Sequence, residues 1–294
     1  MGFGLRQAGT TGFWGEPTST LDWCEENYVV TKYIAEFWNS TSNALYILFM
    51  FVGLFSAARL GVTEWRVYLS LYSIAIVGVG SFLFHATLWY ETQMMDELPM
   101  IYGSCIFVYA NLRVFPETNK NNGLLSAALA AYSIIVTVLY LYVKNPVFHE
   151  VCYGLLVAIL LLLPPWQIYY FKEKYPQYAA KIPGLWKLFW YAAVSYLSGF
   201  AIWGIDNNYC EVLRGARAQV GYPWRIALEF HLFWHLGTAV GTYASVMMLT
   251  YFRLLAIGRD DVYLKWLNGI FPIITTSLSD VQVRKLKKKA EKSL

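Results

Sequence analysis

Charge is what this chain has least of. Only 14% of its 294 residues are Asp, Glu, Lys or Arg, where a soluble domain carries about 25%. With 57% hydrophobic residues and a mean hydropathy of +0.40, that shortage excludes an ordinary soluble core and points to an integral membrane protein. A cleavable leader is also missing: the first apolar run begins near Phe37, too far in and without a basic stretch before it. No internal repeat and no low-complexity tract divides the chain, so it reads as one domain. Cysteine and histidine are limited to four each, few enough to be placed one by one.

What is abundant is apolar length. Seven runs reach the roughly 20 residues that a spanning helix needs: 37–58, 67–89, 93–113, 124–143, 147–171, 185–205 and 228–252. The third opens on Asp96, Glu97 and Pro99, and the fifth contains Pro164-Pro165, which should kink or end its helix. Trp and Tyr, part of an 18% aromatic content, gather near run ends as interfacial belts require. The expected fold is an all-α, seven-helix membrane bundle. It has a lumenal N-terminal segment (1–36), a membrane domain (37–252) and a cytosolic basic tail (253–294). The orientation comes from Lys and Arg. With the N-terminus lumenal, seventeen of the 23 fall on the cytosolic side, and without the tail the split is still eight to six in that direction. The net charge of +4 comes largely from Arg284-Lys285-Leu286-Lys287-Lys288-Lys289, a patch suited to anionic lipid rather than nucleic acid.

On this topology four polar residues reach one depth. His85 closes the second run and Asp96 opens the third. His231 and His235 open the seventh, spaced i, i+4 so that they share a helix face; Ser81 and His85 have the same spacing. Ionisable groups inside a membrane are costly and need a partner or a task. Three histidines with an open fourth position suit a catalytic zinc. Asp96 would take a proton from its water or orient a histidine, and Ser81 would support a developing oxyanion. The plainer alternative is that each histidine is a helix–helix hydrogen bond. His149, with no partner at helical spacing, reads as structural or interfacial. Glu97 reads as a second buried acid or a lumenal surface charge.

Asp22, Glu25, Asn27 and Glu36 form a second oxygen-rich cluster, with Trp23, Cys24 and Glu26 among them. Ca²⁺ takes 6–8 such ligands, but the spacing is not that of an EF-hand, and a solvated acidic patch is the competing reading. Cys24 and Cys210 both fall on the lumenal side, where a disulfide is permitted; sequence alone does not place them within bonding distance. Cys105 and Cys152 fall within apolar runs and read as free thiols.

Long motifs in order carry a family resemblance over about residues 13–250. They are Thr18-Ser19-Thr20-Leu21-Asp22-Trp23-Cys24-Glu25-Glu26-Asn27-Tyr28; Tyr33-Ile34-Ala35-Glu36-Phe37-Trp38-Asn39; Val79-Gly80-Ser81 with Phe84-His85-Ala86-Thr87-Leu88; Met95-Asp96-Glu97-Leu98-Pro99-Met100-Ile101-Tyr102; and Phe230-His231-Leu232-Phe233-Trp234-His235. Together they resemble the alkaline ceramidases. The resemblance implies a seven-helix zinc amidohydrolase of the endoplasmic reticulum or Golgi that cleaves ceramide, phytoceramide or dihydroceramide to sphingoid base and fatty acid. It implies zinc on His85, His231 and His235, with Asp96 activating water and Ser81 supporting the site. It implies Ca²⁺ on Asp22, Trp23 (through its carbonyl), Glu25, Asn27 and Glu36, and a Cys24–Cys210 disulfide. Leu232-Phe233-Trp234 departs mildly from relatives, which often have Gly or Ala beside Trp. The competing reading is a seven-helix receptor, of the kind that binds adiponectin or progestins, with a structural zinc. A transporter is disfavoured because no helix pair shows matching mid-membrane breaks.

Overall fold

Residues 11–118 and 123–291 are described by a computed structural model. Arg6, Lys120 and Lys292, which enter the charge count, lie outside the described residues. The apolar runs all fold as helices, and short capping signals set their ends. Helix α1 (Phe37–Ser42) passes into α2 (Ala44–Leu60), which Gly61 closes in the left-handed region at φ 67°. Then come α3 (Trp65–Thr87), α4 (Tyr90–Leu112) and α5 (Gly123–Val143). Asn145 caps α6 (Pro146–Lys174) by accepting the Val147 N–H at 3.0 Å, with Pro146 at the first helical position. Helix α7 (Ile182–Asn208), a short α8 (Cys210–Val220) and α9 (Phe230–Ala256) complete the bundle.

Among the described residues, six helices are long and apolar enough to cross a membrane. The third expected run, here α4, is helical over 23 residues but is not one of the six: Glu91, Asp96, Glu97 and Pro99 dilute it. Helix α6 does not end at Pro164-Pro165 but runs on to Lys174; neighbouring helices stabilise such prolines in spanning segments.

The chain also departs from all-α. Strands β1 (Val262–Leu267) and β2 (Phe271–Thr276) form an antiparallel hairpin, with Val262 opposite Thr276 and Leu267 opposite Phe271. Its turn is Asn268-Gly269, both at positive φ (49° and 74°), a turn signal present in the sequence. Val262 and Ile274 enter the main core, and Phe271 stacks on Phe49 and Tyr243 at 5.6 and 5.0 Å. The hairpin thus packs on the bundle at the end opposite the histidines. Helix α10 (Asp280–Glu291) carries the basic tail, and its Val283 is buried.

Two close helix crossings position the site. At Gly237 of α9 a methyl group would lie 2.6 Å from the Ser195 carbonyl oxygen of α7. At Gly80 of α3 a methyl would lie 1.8 Å from the Met95 carbonyl oxygen of α4. Pro99 explains that oxygen: lacking an N–H, it cannot donate to the Met95 carbonyl four residues back. The released carbonyl is where α3 presses against α4.

Candidate metal centre

The last turn of α3 carries His85, and the first two turns of α9 carry His231 and His235. Their ring nitrogens include one from each residue that all lie within 4.8 Å of one another. Among the described residues this is the only such group of three His, Cys, Asp or Glu. The residues are 1%, 4% and 3% exposed, so water does not solvate them. His85 Nδ1 lies 2.5 Å from Glu36 Oε2. His235 Nδ1 lies 2.8 Å from Ser42 Oγ. That hydroxyl donates its own hydrogen to the Asn39 carbonyl at 2.9 Å, so its oxygen accepts from His235. The His235 proton is therefore held at Nδ1 and its lone pair sits at Nε2, while Glu36 fixes the His85 ring from its Nδ1 side. His231 Nδ1 is buried with no hydrogen-bond partner, beside the Trp23 ring at 4.4 Å. Three convergent imidazoles, two fixed by outer partners and one with an orphaned nitrogen, fit a nitrogen-ligated zinc.

Several of these partners were not legible as such. Glu36 is implied by the resemblance as a calcium ligand, yet its carboxylate directly faces His85. Ser42 has no motif that marks it, and lies 193 positions from His235. Asp206 of α7, 1% exposed, accepts the main-chain N–H of His231. Helix α9 has no side-chain cap at its N-terminal flank, so Asp206 satisfies one of its orphan donors from outside.

Ser81 lies one turn before His85. Its hydroxyl contacts the Asp96 carboxyl across the α3–α4 crossing and lies 3.5 Å from His235 Nε2. Asp96, Ser81, His231 and His235 all line one cavity of about 580 Å³. It runs between α3, α4, α6, α7 and α9, past Val157, Leu161, Phe189 and Leu197 towards Met248. A mostly apolar cavity of this size, with a few convergent polar groups, is the form of a lipid- or drug-sized binding site. His149 and Glu97 line it as well. Both are buried, so Glu97 is a second buried acid rather than a surface charge.

The N-terminal segment docks on the same end of the bundle. Ala35 and Glu36 donate their main-chain N–H groups to the Ala86 and His85 carbonyls at 3.0 and 2.9 Å. Leu88, at φ 54°, accepts from Thr18 and Ser19. Cys24 and Cys210 form a disulfide with Cα atoms 5.3 Å apart, and Cys105 and Cys152 are free thiols. Arg217, wholly buried, pairs with Glu26 and Glu229 and donates to the Cys24 carbonyl. Asp22, Glu25, Asn27 and Glu36 are buried too, which is not the solvated patch that spacing alone allowed. Burial, then the nearby Asp22 carboxylate, pushes Glu36 up to about 8. Burial, then Glu229 and Glu36, pushes Glu25 well above the usual carboxylate range. Both oxygens of Glu25 accept main-chain N–H groups, from Trp38 and Asn39 at 2.8 Å each. The Trp23 carbonyl accepts from Arg214 at 3.3 Å. Asn27 Oδ1 is buried and unpartnered. Burial among like charges disfavours the ionised carboxylates here, and Asn27 Oδ1 is an orphaned oxygen donor, but unlike the three histidines these acids do not form a group of three ligand atoms within 4.8 Å among the described residues.

The ceramidase family, compared as a whole, matches residues 15–275. The chain is 41% identical over 263 residues to alkaline ceramidase 3 of Mus musculus, covering 90% of this chain and 94% of that one. It is 30% identical over 279 residues to an alkaline ceramidase of Saccharomyces cerevisiae, covering 90% and 87%. It is 29% identical over 266 residues to the alkaline ceramidase of Arabidopsis thaliana, covering 90% and 96%. With a histidine cluster at the head of an apolar cavity and a match of this extent, the chain belongs to the ceramidase family.

Proposed function

We propose that this protein is a zinc-dependent membrane amidohydrolase that cleaves ceramide, including phytoceramide or dihydroceramide, to a sphingoid base and a free fatty acid. The observation that carries the reading is the joining of His85, His231 and His235 to Asp96 and Ser81 at the head of a long apolar cavity. Such a cavity accepts hydrocarbon chains while the amide stays beside the polar groups. A zinc ion held by the three imidazoles supplies a Lewis acid and a water acidified to a pKa of about 7. The chain's own groups do the rest. Asp96 accepts a proton from the attacking water and returns it to the leaving amine. Ser81 donates to the oxygen that gains charge. Ser42 keeps the His235 proton on Nδ1, and Glu36 orients the His85 ring through its Nδ1. The apolar walls exclude competing water.

In the same reading α4 is the seventh span, the histidine end is lumenal and the C-terminus cytosolic, in endoplasmic reticulum or Golgi membrane. Residues 1–36 form a lumenal segment, 37–252 the catalytic domain and 253–294 the tail. Asp22, Glu25, Asn27, Glu36 and the Trp23 carbonyl would hold Ca²⁺, which relieves the repulsion among the buried carboxylates and braces the first helix. The test is a ceramide hydrolysis assay on the purified full chain, with metal content measured alongside. Turnover that depends on bound zinc supports the enzyme. Bound zinc with no hydrolysis of any ceramide in a panel supports the receptor.

A further inference from the structure

Two acids stand side by side at the start of α4, Asp96 and Glu97, and successive helical residues point about 100° apart. A rotation of α4 by that angle would exchange one for the other beside the histidines, and a smaller one would draw Asp96 away from them. This helix is poorly held by its own backbone here, because Pro99 removes the bond to the Met95 carbonyl. Glu97, by contrast, is held from three directions. Its Oε2 accepts the Tyr140 hydroxyl of α5 at 2.6 Å and Gln93 Nε2 at 3.0 Å. Its main-chain oxygen accepts His149 Nε2 of α6 at 2.8 Å, and His149 Nδ1 lies 4.0 Å from Glu97 Oε1. Gln93 is fixed in turn: its Oε1 accepts the Thr20 main-chain N–H at 2.8 Å. All four side chains of this set are buried. Tyr140 and Val136 are the buried residues of α5, so this contact is one of the two buried anchors of α5.

We infer that Gln93, Tyr140 and His149 are positioning residues that clamp Glu97, fix the rotation of α4, and so make Asp96, not Glu97, the acid that serves the metal centre. His149 thus has a partner that sequence spacing could not reveal, because Glu97 lies 52 positions away. The inference rests on the reading of Asp96 as the proton carrier. It asks nothing of the clamp in metal binding, since all three histidines lie on α3 and α9.

The test uses the purified full chain with four readouts: kcat, KM for a short-chain ceramide, zinc content and melting temperature. Tyr140→Phe removes one hydroxyl and keeps the ring, so the fold is retained. It should lower kcat by about 10- to 100-fold, the scale of a misplacement near 1 Å, with KM and zinc unchanged. His149→Leu should do the same. His149→Gln, which keeps an N–H donor for the Glu97 carbonyl, should recover most of the rate. A normal kcat in Tyr140→Phe and His149→Leu, or losses in kcat, KM and zinc together with no rescue by His149→Gln, overturns the clamp. Asp96→Asn, measured in parallel, separates the two levels. If it retains full kcat, the proton-carrier reading fails; if it is inactive while the clamp variants are normal, only the clamp fails.

Discussion

Adding one methyl group at Gly80 tests whether the α3–α4 crossing sets the chemistry. In Gly80→Ala the new Cβ would sit 1.8 Å from the Met95 carbonyl oxygen and 3.0 Å from the Asp96 main-chain nitrogen. Both obstacles are backbone, so no rotamer relieves the overlap. Restoring even a tight contact of 3.0 Å means parting the helices by about 1.2 Å, the difference between 3.0 and the observed 1.8 Å. The residues adjacent to the crossing are Ser81 on one helix and Asp96 on the other, which contact each other. A misplacement of about 1 Å costs on the order of 10²-fold in rate, and overpacking costs roughly 1–3 kcal/mol of stability. Gly80→Ala should therefore lower kcat by about 100-fold or more and lower the melting temperature, while His231 and His235 keep their metal. The assay is ceramide turnover on purified protein, with thermal unfolding and elemental analysis on the same sample. Turnover within twofold of the parent would refute the claim that this crossing positions Asp96 against Ser81.

Each of His85→Ala, His231→Ala and His235→Ala should lose zinc by elemental analysis and nearly all activity; full occupancy in His235→Ala would remove the three-histidine site. Asp96→Asn should keep its metal and lose turnover by several orders of magnitude, whereas Ser81→Ala should lose about 2–4 kcal/mol of transition-state stabilisation; a near-normal Asp96→Asn would make Glu97 the next candidate. A calcium-selective chelator should lower melting temperature and activity with zinc unchanged. Asp22→Asn should abolish that response alone, while Glu36→Ala, which also faces His85, should in addition weaken zinc retention about 10- to 100-fold; indifference to calcium up to millimolar levels would return the cluster to a purely structural role. Hydrogen bonds from Arg259, then Thr276, hold the Asp261 carboxyl below the usual Asp range. Its stabilisation is therefore present above pH about 4 and lost as pH falls through the depressed folded value. Asp261→Asn should melt below the parent at pH 7, and the gap should shrink as the pH falls through the depressed folded value; a gap unchanged throughout acid would argue against this ion-pair account.

What was legible in the sequence, and what was not, divides along one physical line. Periodicity and length are local, so six spans and their order could be read directly, and depth matching could bring His85, Asp96, His231 and His235 to one end of the bundle. The third run reads from its length as a span and folds as helix α4, but it is not among the six apolar spans, because Glu91, Asp96 and Glu97 dilute it. The partners that finish the site are set by tertiary contact and leave no local trace. Ser42 meets His235 across 193 residues, and Arg217 reaches the Cys24 carbonyl across the same interval. His149 shows the limit most clearly. Spacing along its own helix found it no partner, yet it donates to a carbonyl one helix away, next to the acid that spacing did find. The hairpin is the opposite case: Asn268-Gly269 between alternating Leu264-Lys265-Trp266 and the β-branched Ile273-Ile274-Thr275-Thr276 is a local signal. The basic residues beyond it nonetheless give the whole segment the composition of a tail. A membrane chain therefore discloses its candidate metal ligands early, since an ionisable histidine in an apolar run is costly enough to demand a reason. It conceals the residues that aim those ligands, since a serine, a tyrosine or a second glutamate is ordinary at a helix end until the helix beside it is known.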